Sequence, residues 1–70
     1  MKEHDTLVTR LSQILIKLNS GEELDIDLLA EEFNVSKRTI QRDLNVRFSY
    51  LPLKKENGKY SLESYYLGRL

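Results

Sequence analysis

Residues 25–48 read DIDLLAEEFNVSKRTIQRDLNVRF, and the fold follows from how that stretch divides. Ile26, Leu29, Ala30 and Phe33 fall at i, i+3, i+4 and i+7, one face of a helix. The period breaks at Asn34-Val35-Ser36. Asparagine tolerates the left-handed backbone that ends a helix, and serine is a strong cap for the next one. A second apolar stripe then takes Ile40, Leu44 and Phe48 at intervals of four, with Leu51 next on the same side. Two helices on so short a turn cross steeply, as in a helix-turn-helix, and Val35 belongs under the corner between them.

The second of these helices carries the chemistry. With Ile40, Leu44 and Leu51 buried, a step of about 100° per residue puts Arg38, Arg42, Asn45 and Val46 on the far side, with Thr39 and Gln41 at the flanks. Arginine, glutamine, asparagine and threonine are the side chains that read base edges or hold phosphates. Ser36 and Lys37 stand at the helix N-terminus, where free N–H groups and the helix dipole favour a phosphate. A solvated face is the ordinary explanation of a polar helix side. Its position after a short, capped turn, and the charge distribution along the chain, favour DNA here.

The chain has 70 residues, 11 basic and 11 acidic, and a formal net charge of zero. That total conceals a split. From Ser36 to Tyr60, seven lysines and arginines face only Asp43 and Glu56, a net +5; the remainder has four basic against nine acidic residues, a net −5. Such polarity suits a polyanion on one side and solvent or a partner on the other. There is no cysteine, so disulfides and thiolate metal sites are excluded, and a reducing, cytoplasmic, nucleoid-associated location is expected. No apolar run approaches the ~20 residues that span a bilayer, and the charged N-terminal stretch lacks the apolar core of a signal peptide, so no membrane partner is expected. The single histidine, His4, reads as inert, no general acid–base pair stands out, and neither enzyme activity nor a cofactor or metal is expected.

One small domain accounts for the length. Residues 1–4 read as a flexible tail, residues 5–63 as the folded domain, and residues 64–70 as a C-terminal tail or the start of a linker to an absent domain. Asp5 or Thr6 can cap a first helix that runs to Asn19, with Leu7, Val8, Leu11, Ile14, Leu15 and Leu18 as its apolar face and Arg10, Gln13 and Lys17 opposite. Asn19-Ser20-Gly21 stops it; Glu22-Glu23-Leu24 is a connector whose Leu24 enters the core; Asp25 caps the second helix. After Pro52, the segments Leu53–Glu56 and Lys59–Leu62 flank Asn57-Gly58, a strong hairpin signal. A two-residue loop pairs Leu53 with Leu62, Lys54 with Ser61, Lys55 with Tyr60 and Glu56 with Lys59. Leu53, Leu62, Tyr60 and the stem of Lys55 then face the helices, and Lys54, Ser61, Glu56 and Lys59 face away. Directly after a recognition helix, this hairpin is a wing whose Lys54 and Lys59 can reach the DNA backbone. The tail Tyr65, Tyr66, Leu67 and Leu70 can bury a face against the first helix or lead to a further segment. The expected architecture is mainly α with a small β-hairpin: a winged helix-turn-helix of three helices plus wing.

LAEEFNVSKRTIQRDL (residues 29–44), followed by the hairpin NGKYSL (residues 57–62), resembles the N-terminal winged helix-turn-helix of DeoR-type and WYL-domain bacterial transcriptional regulators. The similarity covers roughly Leu7 to Leu62; its most specific part is Ser36-x-x-Thr39-Ile40-x-Arg42-Asp43-Leu44. It implies a double-stranded DNA-binding transcription regulator, usually a dimer, assembled here as a homodimer through a missing C-terminal region. It also implies phosphate contacts from Ser36, Thr39 and Arg42, with Arg38 and Gln41 towards bases, and a bracing role for Asp43. Beside these, Lys37, Lys54 and Lys59 are taken as phosphate contacts and Asn45 as a base reader. The family often continues with a leucine and a glycine ahead of the wing, where this chain has Asn45-Val46-Arg47-Phe48-Ser49-Tyr50-Leu51-Pro52. Helix 36–48 in a major groove and wing 53–62 on flanking backbone is the leading expectation. A winged-helix protein-interaction module, using the acidic residues around Glu22, Glu23, Glu31 and Glu32 or the tyrosine tail, is the alternative.

Overall fold

A computed structural model describes residues 3–69. The elements in order are α1 (Glu3–Asn19), β1 (Leu24–Asp25), α2 (Ile26–Phe33), α3 (Lys37–Arg42), a π-helical turn (Asp43–Arg47), β2 (Leu53–Glu56), β3 (Lys59–Leu62) and a 3-10 turn (Ser64–Tyr66). This is a mainly helical chain with a small antiparallel sheet, the winged helix-turn-helix arrangement. Of the expected N-terminal tail, Met1 and Lys2 lie outside the described residues, as does Leu70 of the tail at the other end. Helix α1 is already under way at Glu3, two residues before the first expected cap.

The helix ends form as their residues dictate. Gly21, at φ 87°, closes α1: its N–H donates to the Leu18 carbonyl at 3.1 Å, and the Glu22 N–H to the Lys17 carbonyl at 3.1 Å. The same pair of bonds closes α2. Asn34, at φ 55°, donates to Glu31 at 3.2 Å, and Val35 donates to Ala30 at 3.0 Å. These crossed bonds satisfy carbonyls that a helix end leaves open. The Asp25 carboxylate accepts the Asp27 and Leu28 N–H groups at 2.8 and 3.2 Å, and the Ser36 Oγ accepts the Thr39 N–H at 3.2 Å. The turn between α2 and α3 is therefore fixed at both ends.

One core joins every element. Ile14 and Leu18 of α1 meet Leu29 and Ala30 of α2, Ile40 of α3, Leu44 of the π turn, and Phe48 and Leu51 beyond it; Leu24, Tyr60 and Leu62 close it from the sheet. Burial of each large aliphatic side chain stabilises the fold by roughly 1.5–3 kcal/mol. Val35 packs half-buried against this core, under the corner as expected. Val8 does not: it is 50% exposed. Arg10, expected on the outer side of α1, is the larger departure, being only 7% exposed. It lies four residues before Ile14 and eight before Leu18, on the buried line itself.

The hairpin has the expected register and positive φ at both Asn57 (54°) and Gly58 (76°), as a two-residue turn of this type requires. It is not two-stranded. Leu24 and Asp25, expected as connector and cap, also pair with Tyr60 and Lys59, giving the strand order β1-β3-β2. Ser61, which hairpin alternation assigns to the outer face, is buried in this central strand. Lys55 is exposed, with its ammonium 5.4 Å from the centre of the Tyr60 ring, a cation–π contact. Past the sheet, the chain returns to the end of α1. Tyr66 packs on the core, and the Gly68 N–H donates to Asn19 Oδ1 at 2.8 Å. Tyr65 and Leu67 stay exposed.

Candidate nucleic-acid interface

The segment Ser36–Phe48 is not one regular helix. After Arg42 its hydrogen bonding changes to π, and the Phe48 N–H reaches the Asp43 carbonyl at 2.9 Å. Leu44 and Phe48, four residues apart, both stay in the core across this wider turn, and Leu51 follows on a separate bend. The expected span 36–48 stands, from the Ser36 cap to the Phe48 cap, with its second half rewound.

The polar side of this segment is exposed at Arg38, Gln41, Arg42, Asn45, Val46 and Arg47. Ser36, Arg38, Thr39, Arg42 and Arg47 line one shallow depression. No carboxylate lines it, and among the described residues Arg38 and Arg42 form no ion pair. At its edge the Ser36 and Thr39 hydroxyls lie 3.0 Å apart and share one hydrogen bond, which leaves one hydroxyl proton to donate outward. The depression offers fixed donors and positive charge, the features that hold an oxyanion.

The other sequence-predicted residues stand apart from it. Lys37 pairs with Asp27 at 3.3 Å, both largely exposed, so the contact is weak and the lysine can exchange it. Gln41 is exposed outside the depression. Asn45 turns to the wing: its Oδ1 accepts the Tyr60 hydroxyl at 3.3 Å, leaving its amide N–H groups as donors. On the wing, Lys54 is half-buried with its Nζ 3.9 Å from Glu56, and Lys59 is exposed. The acidic residues Glu22, Glu23 and Glu32 gather elsewhere, around Lys17 at the junction of α1, β1 and α2. Asp27 and Glu31 instead share a depression with Ser36 and Lys37, and Asp25 pairs with Lys59 across the sheet, so the charge split of the sequence is only partly a spatial one.

Beneath the depression lies a contact between distant parts of the chain. Asp43 is fully buried; its Oδ2 accepts Arg10 Nε at 2.6 Å, and its Oδ1 accepts Arg10 Nη2 at 3.2 Å and Arg47 Nη1 at 3.0 Å. The bracing role that resemblance assigns to Asp43 has its partners here: Arg47, four residues on, is a local helical pairing, whereas Arg10 is 33 positions away.

A family model described as an HTH domain matches residues 10–46, more than half of the chain. The chain belongs to this helix-turn-helix domain family. The match begins at Arg10 and ends inside the π turn, so it spans both partners of the Arg10–Asp43 contact, and the wing of this helix-turn-helix domain lies beyond it. No curated protein and no solved structure matches the chain in the corresponding comparisons. The helix-turn-helix domain is a DNA-binding type, and among the described residues no helix is long and apolar enough to cross a membrane.

Proposed function

We propose that the domain binds double-stranded DNA sequence-specifically, as the DNA-binding domain of a bacterial transcriptional regulator of the DeoR-type or WYL-like kind. The observation that carries this reading is the carboxylate-free depression, with Arg38 and Arg42 unpaired beside the Ser36 and Thr39 hydroxyls on a helix held out by its caps. In the proposed complex α3 and the π turn lie in a major groove. Ser36, Lys37, Thr39 and Arg42 hold phosphates, and Arg38 and Gln41 read base edges. Asn45 directs its free amide donors to a base while its oxygen is held by Tyr60. The wing sets Lys54 and Lys59 against flanking backbone. One domain offers few contacts, so two copies on a pseudo-palindrome complete a useful affinity.

Selection of bound duplexes from a random pool tests the reading. The expected result is a recurring half-site whose preference relaxes at particular base pairs in Arg38→Ala and Gln41→Ala, by about 1–3 kcal/mol for each bidentate contact. Recovery of no preferred sequence, or of one unchanged by both substitutions, would overturn the base-reading assignment.

A further inference from the structure

We infer that Arg47 is a DNA-phosphate ligand held in position by Asp43, an inference that rests on the duplex-binding reading above. Arg47 follows the predicted recognition face, and its ion pair with a carboxylate suggests at first a spent charge. The geometry says otherwise. Asp43 carries one negative charge and is gripped by Arg10 through both Nε and Nη2, the two side chains being buried together. That pair is neutral by itself. Arg47 reaches the same carboxylate from the surface with a single nitrogen, Nη1, at 3.0 Å. The three groups together therefore retain one positive charge, and it is delivered at the exposed end.

A guanidinium has five N–H donors, most of which this contact leaves free. The Arg47 side chain is 36% exposed and lines the same depression as Arg38 and Arg42. Three arginines thus surround a hollow that no carboxylate enters, and the planar fork of arginine matches phosphate oxygens. A mobile arginine surrenders rotamer freedom when it grips a phosphate; Arg47 surrenders it on folding, through Asp43. Asp43 is a positioning residue, acting through Arg47 with no contact of its own to the ligand.

A phosphate contact is independent of base sequence, so the test needs no operator. The full chain is titrated with a mixed-sequence duplex of about 20 base pairs across a salt series, where each phosphate neutralised contributes about 0.9 to the log–log slope. Arg47→Ala should flatten the slope by about that amount and weaken binding about tenfold at fixed salt, as Arg42→Ala does. Arg69→Ala, which removes a charge from the tail near Asn19, should change the slope by much less. A slope lowered by Arg42→Ala but untouched by Arg47→Ala, or lowered equally by Arg69→Ala, overturns the assignment and leaves the duplex reading intact. Absence of salt-dependent binding by the unsubstituted chain removes both. The positioning half is tested without substitution, by NMR of the DNA-free protein. The Arg47 guanidinium protons should appear as resolved, slowly exchanging signals and those of Arg38 and Arg42 as averaged ones; an averaged Arg47 signal refutes it.

Discussion

The Tyr60 hydroxyl donates to Asn45 Oδ1 at 3.3 Å, so the central strand of the sheet and the π turn that follows α3 share a side-chain hydrogen bond. Tyr60 also fills the core and carries Lys55 over its ring. Tyr60→Phe removes the hydroxyl and keeps both other contacts. The bond is long and Asn45 is exposed, so the cost should be at the low end of the usual range, about 0.5–1 kcal/mol. For a chain of this size, that is a fall in thermal midpoint of roughly 2–8 °C, measurable by circular dichroism. An unchanged midpoint would show that water replaces the bond without loss.

The Arg10–Asp43 contact behaves differently because both partners are buried. Asp43→Leu leaves the Arg10 charge without its counterpart and should cost about 3–5 kcal/mol. A domain of this length holds only about 4–10 kcal/mol in all, so this variant should be largely unfolded at moderate urea. Arg10→Met should cost less, since Arg47 still faces the carboxylate. The double variant Arg10→Met/Asp43→Leu replaces the pair by apolar contacts and should be more stable than Asp43→Leu alone. Urea unfolding of the four proteins checks the order; additive losses would mean that the pair is not coupled.

Ser36 has two duties that substitution can separate. Its Oγ caps α3, and it faces the proposed phosphate site. Ser36→Ala should lower stability by about 1 kcal/mol through loss of the cap. Ser36→Asp should retain the cap, and with it the unfolding midpoint, because aspartate caps as well as serine does. Its negative charge would nevertheless repel a phosphate, so duplex binding should fall below that of Ser36→Ala. Parallel melting and salt titrations read the two effects; stronger binding by the aspartate variant would remove Ser36 from the phosphate set.

Much of the fold is legible because local chemistry leaves local marks. Asp25 announces the start of α2, Asn34 and Ser36 the two helix ends of the corner, and Asn57-Gly58 fixes a register that the strands keep. The unread parts depend on distant closure. Leu24-Asp25 is too short for any alternating pattern and becomes a strand only because β3 lies beside it. Asp43 and Arg10 are 33 positions apart. The spacing of Arg10 from Ile14 and Leu18 does place it on the buried line; its charge argues for the outside, and only a buried carboxylate reverses that preference. The π turn has no local mark either, since Ile40, Leu44 and Phe48 at intervals of four suit a continuous α-helix. At the candidate site, Ser36, Arg38, Thr39 and Arg42 converge from spacing alone. Arg47 joins them through its tie to Asp43, an i,i+4 pairing that helical spacing contains, although a face centred on Arg38 and Arg42 leaves Arg47 aside.

Because the two residues of β1 run directly into α2 and also pair with β3, the wing is stitched by backbone to the entrance of the helix-turn-helix. The hairpin cannot swing like a hinged arm without tearing that seam and emptying the Leu24 site. A duplex engaging both parts meets a rigid template with a preset angle. In the proposed complex any mismatch in curvature or groove width must then be absorbed by the nucleic acid, so duplexes would be ranked partly by how readily they bend.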